Sequence, residues 1–158
     1  METTIGVVTQ DVAEIRWVIR DRVKFMGEVA GTELAIVEID IPPQSGPPPH
    51  THASPEIFRI ISGEITFGSY KDNISSTIVA GPGTVVTVPP YQPHNYVNLS
   101  GKPATMLVVL NKQMLDFFLD IGTKEQPAAA SPDHDEIVKI IDTCRKHGIE
   151  ILDIPQLA

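Results

Sequence analysis

The sequence predicts an all-β domain, a sandwich or barrel of short strands, followed by two short helices. Three observations carry this. Between residues 16 and 110, short runs with apolar residues at alternate positions follow one another closely, the period of a half-buried strand. Most runs end in a turn rich in glycine or proline, such as Ala30-Gly31-Thr32, Ser62-Gly63-Glu64 and Ala80-Gly81-Pro82-Gly83. After Asn111 the apolar spacing changes to i, i+3, i+4, i+7, which is the stripe of an amphipathic helix.

The elements follow in order. Residues 1–14 carry little pattern and are expected to form an edge strand or arm. Arg16–Arg20 reads as a strand with Trp17 and Ile19 on one face, and Asp21 and Arg22 as its turn. Arg22–Glu28 is a second strand. Glu33–Ile41 alternates well, with Ala35, Val37, Ile39 and Ile41 on one face and Glu38 and Asp40 on the other. The run from Pro42 to Pro49 cannot pair inside a sheet, because proline has no N–H. It reads as a stiff loop that delivers His50 at a defined angle. Further strands are expected at Glu56–Ser62, Ile65–Tyr70, Ile74–Val79, Thr84–Val88, Tyr96–Leu99 and Ala104–Leu110, with a turn at Lys71-Asp72-Asn73. Met114, Phe117, Phe118 and Ile121 mark the first helix, which Gly122 ends. Ser131 as N-cap and Pro132 as first helical residue open the second helix. Ile137, Ile140, Ile141 and Cys144 form its stripe, and Gly148 closes it. Ile149–Ile154 adds an edge strand.

Length and composition set bounds. At 158 residues and 42% hydrophobic content, the chain is long enough for one domain with a real core. We read residues 1–158 as that one domain, with a core of about 15–111 and a helical extension of about 112–158. A net charge of −8 argues against nucleic acid or an anionic membrane as partner, since both attract basic patches. A single cysteine, Cys144, excludes an internal disulfide framework. The N-terminus lacks a signal-peptide pattern, and no stretch approaches the roughly 20 apolar residues of a membrane span. The expectation is a soluble, cytoplasmic protein.

The chemistry concentrates in two stretches. His50 and His52 are two residues apart, so on an extended strand they share a face. Glu56 follows four residues later, after a bend at Pro55. A second stretch, Gly83 to Asn98, supplies His94 after a proline turn. Three imidazoles and a carboxylate can grip one divalent transition metal and leave open positions; the donor set admits iron, manganese, cobalt, nickel, copper or zinc. Phe58 and Ile60 share the face of Glu56 and are expected to line an apolar pocket above the metal. Tyr96 shares the face of His94, either as an acid or hydrogen-bond donor or as plain wall. Ile57 and Ile61 face outward and need cover from a helix or a second subunit, so a homodimer is expected. Cys144 reads as a packing residue, and His134 and His147 as structural. No serine sits on a nucleophile elbow and no glycine-rich phosphate loop is present.

These stretches resemble the two motifs of the cupin superfamily. His50, His52, Glu56 and Gly63 match the first, and Gly83, Pro89, His94 and Asn98 the second. Tyr91 departs from the pattern, standing where the second motif has a glycine. The resemblance implies a double-sheet jelly-roll barrel of the RmlC-like kind, with His50, His52, Glu56 and His94 as metal ligands. The proline run, the Phe117-Phe118 segment and the ending around Lys146-His147-Gly148 also look like bacterial single-domain cupins related to quercetin 2,3-dioxygenase. That narrower resemblance implies an oxygen-dependent opening of a flavonol, or of another enolic or phenolic substrate. In it Glu56 would take the substrate's hydroxyl proton, and Phe117 and Phe118 would either form a lid over the pocket or pack as plain core. Two other classes stand beside it: an isomerase, cyclase or lyase using the metal as Lewis acid, and a non-catalytic module that binds small molecules.

Overall fold

Alternation and turn chemistry produce eleven strands and two helices in residues 4–153, the part of the chain that the computed structural model describes. Residues 1–3 of the expected arm and Ile154 of the expected edge strand lie outside the described residues. The strands are β1 (Glu14–Val18), β2 (Asp21–Glu28), β3 (Leu34–Ile41), β4 (His50–Thr51), β5 (Glu56–Ser62), β6 (Ile65–Lys71), β7 (Ile74–Ala80), β8 (Val85–Val88), β9 (His94–Val97), β10 (Ala104–Asn111) and β11 (Glu150–Ile151). The helices are α1 (Lys112–Ile121) and α2 (His134–Lys146), both between β10 and β11.

All pairing is antiparallel, in two sheets of order β1-β2-β3-β10-β5-β8 and β11-β4-β9-β6-β7. The period of two is cleanest in the central pair. Ala35, Val37, Ile39 and Ile41 of β3 and Ala104, Met106, Val108 and Leu110 of β10 all point inward and are buried. Phe58 and Ile60 from β5 join them, and Ile65 and Phe67 of β6 meet them from the second sheet. Phe58 and Phe67 pack edge to face with ring centres 5.1 Å apart, a favoured aromatic geometry. Ile57 and Ile61 lie on the outer face and stay 45% exposed, so neither helix covers them.

The expected jelly-roll barrel is corrected here, because among the described residues neither sheet closes on itself. Each ends in two free edges, β1 and β8 in one, β11 and β7 in the other. Closure needs donors along both edges, and the sequence removes some. β8, one of these edges, is four residues long and runs into Pro89-Pro90, which have no N–H to give. β1 turns its outer edge to a single bridge with Thr123 instead.

Three local expectations also shift. The first hairpin turns at Ile19-Arg20 rather than at Asp21-Arg22, since Val18 pairs with Asp21. Ile19 has φ of 60°, where a β-branched residue is strained and a two-residue hairpin usually has glycine. Arg20 supports the turn by donating to the Ile19 carbonyl and to Glu136 on α2. His94 begins β9 itself, two residues before the expected strand. Asp133, not Ser131, caps α2, accepting from the Glu136 N–H at 2.8 Å. Asn111 caps α1, and the Gly122 N–H closes it on Phe118. α1 buries Met114, Leu115, Phe117, Phe118 and Ile121. Among the described residues, no helix is long and apolar enough to cross a membrane.

Candidate metal centre

Strand pairing brings the histidines together. β4 and β9 are neighbours, and His50 stands directly opposite His94. Their ring centres are 4.4 Å apart, and the His52 ring lies 5.3 Å from one and 5.0 Å from the other. One nitrogen from each of the three falls within 4.8 Å of the others, and all three residues are buried. Such a set can coordinate one divalent transition metal.

The supports around it are specific. β11 pairs along β4, setting Ile151 against His50, and the Leu152 N–H donates to the Pro49 carbonyl at 2.9 Å. Tyr91 holds His52 from the other side, its N–H donating to the His52 carbonyl at 2.8 Å. Its φ is 63°, so the turn adopts the left-handed shape a glycine would ease, with a tyrosine in place. Gln113 on α1 accepts from the Ser54 N–H and donates to the His147 carbonyl. It ties the loop between His52 and Glu56 to the end of α2. Asn98, the last motif residue, is fully buried and structural. It donates to the carbonyls of Ile41 and Lys102 and accepts from Ser100. At Gly46 a Cβ would overlap the Tyr96 carbonyl, so only glycine lets the proline loop pass β9.

Hydrogen bonding fixes which nitrogens are free. His50 Nδ1 lies 2.9 Å from the Pro48 carbonyl and His94 Nδ1 lies 2.7 Å from the Gln92 carbonyl. A carbonyl only accepts, so both Nδ1 atoms carry the proton and both Nε2 atoms present a lone pair. Burial, then the neighbouring His94, pushes the His50 imidazolium down to about 4, so the ring is neutral at ordinary pH. Neither ring nitrogen of His52 has a hydrogen-bond partner. Glu56 Oε1 approaches His52 Nε2 at 2.9 Å, off the line a hydrogen bond needs, and His94 Nε2 at 3.1 Å. The buried His94 electron pair facing a carboxylate calls for a positive charge between them, and an orphaned buried imidazole calls for a partner. A divalent cation satisfies both, so the donors present fit a metal.

Glu56 is fully buried beside the three histidines, though it is not one of the set whose donor atoms mutually converge. The cavity it borders has a volume of about 100 Å³. Phe58, Tyr96, Phe117 and Phe118 line it, as do His50 and His94, whereas Ile60 sits in the core opposite Met106 and does not reach it. Met114, Cys144 and Ile149 close the wall from the C-terminal side. Burial pushes the Cys144 thiol up to about 11, which suits packing and not nucleophilic attack. His147 stacks near Phe117 and contacts Asp120.

Sequence reasoning missed Asp21 and Ser45. Asp21 opens β2, and its carboxylate accepts from Ser45 at 2.6 Å and from the Tyr96 hydroxyl at 2.7 Å at the cavity wall. Burial first, then the Asp21 charge, raises the Tyr96 phenol well above its ordinary value. No local spacing flags this group, because its members come from residues far apart in the chain.

The cupin domain family model matches residues 37–110, the segment that holds all three histidines and Glu56. The match spans just under half of the chain and marks a likeness to cupin domains over those residues. No curated protein sequence matches. Among solved structures, an RmlC-like cupin from Shewanella frigidimarina shares 19% identity at a TM-score of 0.60, covering 74% of this chain and 99% of that one. The polyketide cyclase RemF from Streptomyces resistomycificus shares 15% identity at a TM-score of 0.58, covering 84% and 90%. Fe(II)-HppE shares 15% identity at a TM-score of 0.56, covering 68% and 60%. At these identities the likeness is one of fold. The cupin reading rests on the domain match, and none of these relatives supports the narrower resemblance to quercetinases.

Proposed function

We propose that this cupin is a metal-dependent isomerase, cyclase or lyase acting on a small oxygen-bearing substrate. The observation that carries the reading is a convergent set of three histidines, two of them with tautomers fixed for ligation and lining an apolar cavity of about 100 Å³. Sites for drug-sized ligands run to several hundred Å³, and roughly 150 Å³ takes one benzene. A compact substrate fits this space without rearrangement, which supports it over the quercetinase-like reading. A module that only binds would not need a complete ligand set.

His50, His52 and His94 would hold the metal, which when bound supplies Lewis-acid polarisation of a substrate oxygen. A bound cation would keep Glu56 ionised beside them, as a base for a substrate proton or as a fourth ligand. The aromatic wall of Phe58, Phe117 and Phe118 keeps water from the reacting atoms. RemF, which shares the fold, is a polyketide cyclase.

The test is proton exchange under argon. Metal-free protein is reconstituted separately with manganese, iron, cobalt, nickel, copper and zinc, then given 3-hydroxybutan-2-one in D₂O. Loss of the C3 proton signal that requires one of these metals, and falls by about 100-fold in Glu56→Gln, supports the reading. Absence of exchange, together with oxygen uptake on quercetin, would replace it with the dioxygenase.

A further inference from the structure

The cavity has a second polar pole. Asp21 is 6% exposed and borders the same space as the histidines. Its Oδ1 accepts from Ser45 of the proline loop and its Oδ2 from Tyr96 of β9. A carboxylate offers about four acceptor positions, so half remain open. Charges that could neutralise it are adjacent in sequence but turned away, since Arg20 pairs with Glu136 and Arg22 with Asp40. Among the described residues no lysine or arginine lines the cavity, whereas both Asp21 and Glu56 do. Burial therefore outweighs the two hydroxyl donors and pushes the Asp21 carboxyl up to about 6.

An anionic group entering here meets a carboxylate with no cation beside it. A neutral hydroxyl adds one hydrogen bond and leaves the buried charge uncompensated. An ammonium group supplies donors for the open positions and cancels the charge, and the rings of Phe58, Tyr96, Phe117 and Phe118 offer faces that attract a cation. We propose that Asp21, braced by Ser45 and Tyr96, is a second binding subsite of this cavity, and that it receives the ammonium group of a small aliphatic amine. The proposal rests on the reading of this cavity as the substrate site, but not on the metal. The bracing also ties β2 to β9, so the test needs a readout that a purely structural tie would not move.

The experiment compares three probes with one branched skeleton: isobutylammonium, isobutanol and isobutyrate. Each is titrated at pH 7.5 and constant ionic strength into methyl-labelled protein, metal-free and zinc-loaded, and read by shifts of the Ile19, Ile39 and Met114 methyls. Saturable binding of isobutylammonium, at least 10-fold tighter than isobutanol and without detectable isobutyrate binding, is expected in both forms. Asp21→Asn, which keeps an acceptor for the hydroxyls, is expected to lose at least 10-fold of the amine affinity. Ser45→Ala and Tyr96→Phe, which leave the carboxylate, are expected to keep the preference for the cation. Equal affinity for the three probes, no saturable amine binding, or unchanged binding in a folded Asp21→Asn overturns the proposal. If Asp21→Asn does not fold, the order of the three probes in the other two variants decides. Zinc affinity is measured in parallel. Amine binding without zinc binding upholds the subsite and refutes the metal reading; zinc binding without amine preference does the reverse.

Discussion

Replacing Asp21 by asparagine changes the slope of stability against pH in a direction that burial dictates. The Asp21 carboxyl titrates at about 6 in the folded protein against 3.8 in a free chain. Between those values the folded state holds a proton that the unfolded state has released, so stability falls as pH rises through the window. A separation of about 2 pH units, at about 1.4 kcal/mol per unit, makes the loss about 3 kcal/mol by pH 7. His50 works in the opposite sense. Its folded value near 4 lies below the ordinary 6.5, so its contribution grows as pH rises over much of the same range, and the wild-type profile is flattened. The difference between Asp21→Asn and wild type removes His50 and exposes Asp21 alone. Any hydrogen bond lost with the charge shifts that difference by a constant. Urea unfolding of metal-free protein in chelator, at half-unit steps from pH 4 to pH 7.5, gives the curve. The variant is expected to gain about 3 kcal/mol relative to wild type across the range. A difference flat to within about 0.5 kcal/mol would show that Asp21 is not a buried, uncompensated carboxyl and would refute the reasoning.

Three further outcomes are expected. His94→Ala removes one of three convergent donors, so bound metal per chain, read by elemental analysis after dialysis, falls well below that of wild type, and the rise in melting temperature on adding metal shrinks with it. Tyr91→Gly relieves a left-handed backbone at a side chain that is 67% exposed, and is expected to raise stability by about 1 kcal/mol in denaturant unfolding. Cys144, buried and with its thiol held near 11, is expected to resist aromatic disulfide reagents at pH 8 in the folded protein and to react at once in guanidinium.

Part of the donor set was legible because spacing is local. The close spacing of His50 and His52 was visible in the chain, although β4 ends at Thr51 and His52 lies just past it, whereas the pairing of β4 with β9 that sets His94 opposite His50 needed the fold. The core of β3 was legible for the same reason. Closure of the sheets was not, since alternation says which face a residue takes but nothing about which edges meet. Here the unread clue was Pro89-Pro90, which cut short the edge strand β8. The N-cap of α2 went astray because Ser131 and Asp133 are equally able caps flanking one proline. Ile19 was assigned to a strand because its side chain favours one, yet the hairpin places it at positive φ, where tertiary ties through Arg20 override propensity. Asp21 escaped entirely, because its partners Ser45 and Tyr96 meet it only through the folded arrangement.

The short strand that presents His50 has its outer edge covered by Glu150 and Ile151. A ribosome has made all three histidines once residue 94 is added, but that cover arrives only with residue 151. At roughly 5–20 residues per second, the interval lasts some seconds. An ion that meets the growing chain during those seconds finds the imidazoles without the strand that holds one of them in place. The strand that carries His50 thus gains its outer partner only near the end of synthesis, and the donor set is the last part of the fold to be completed.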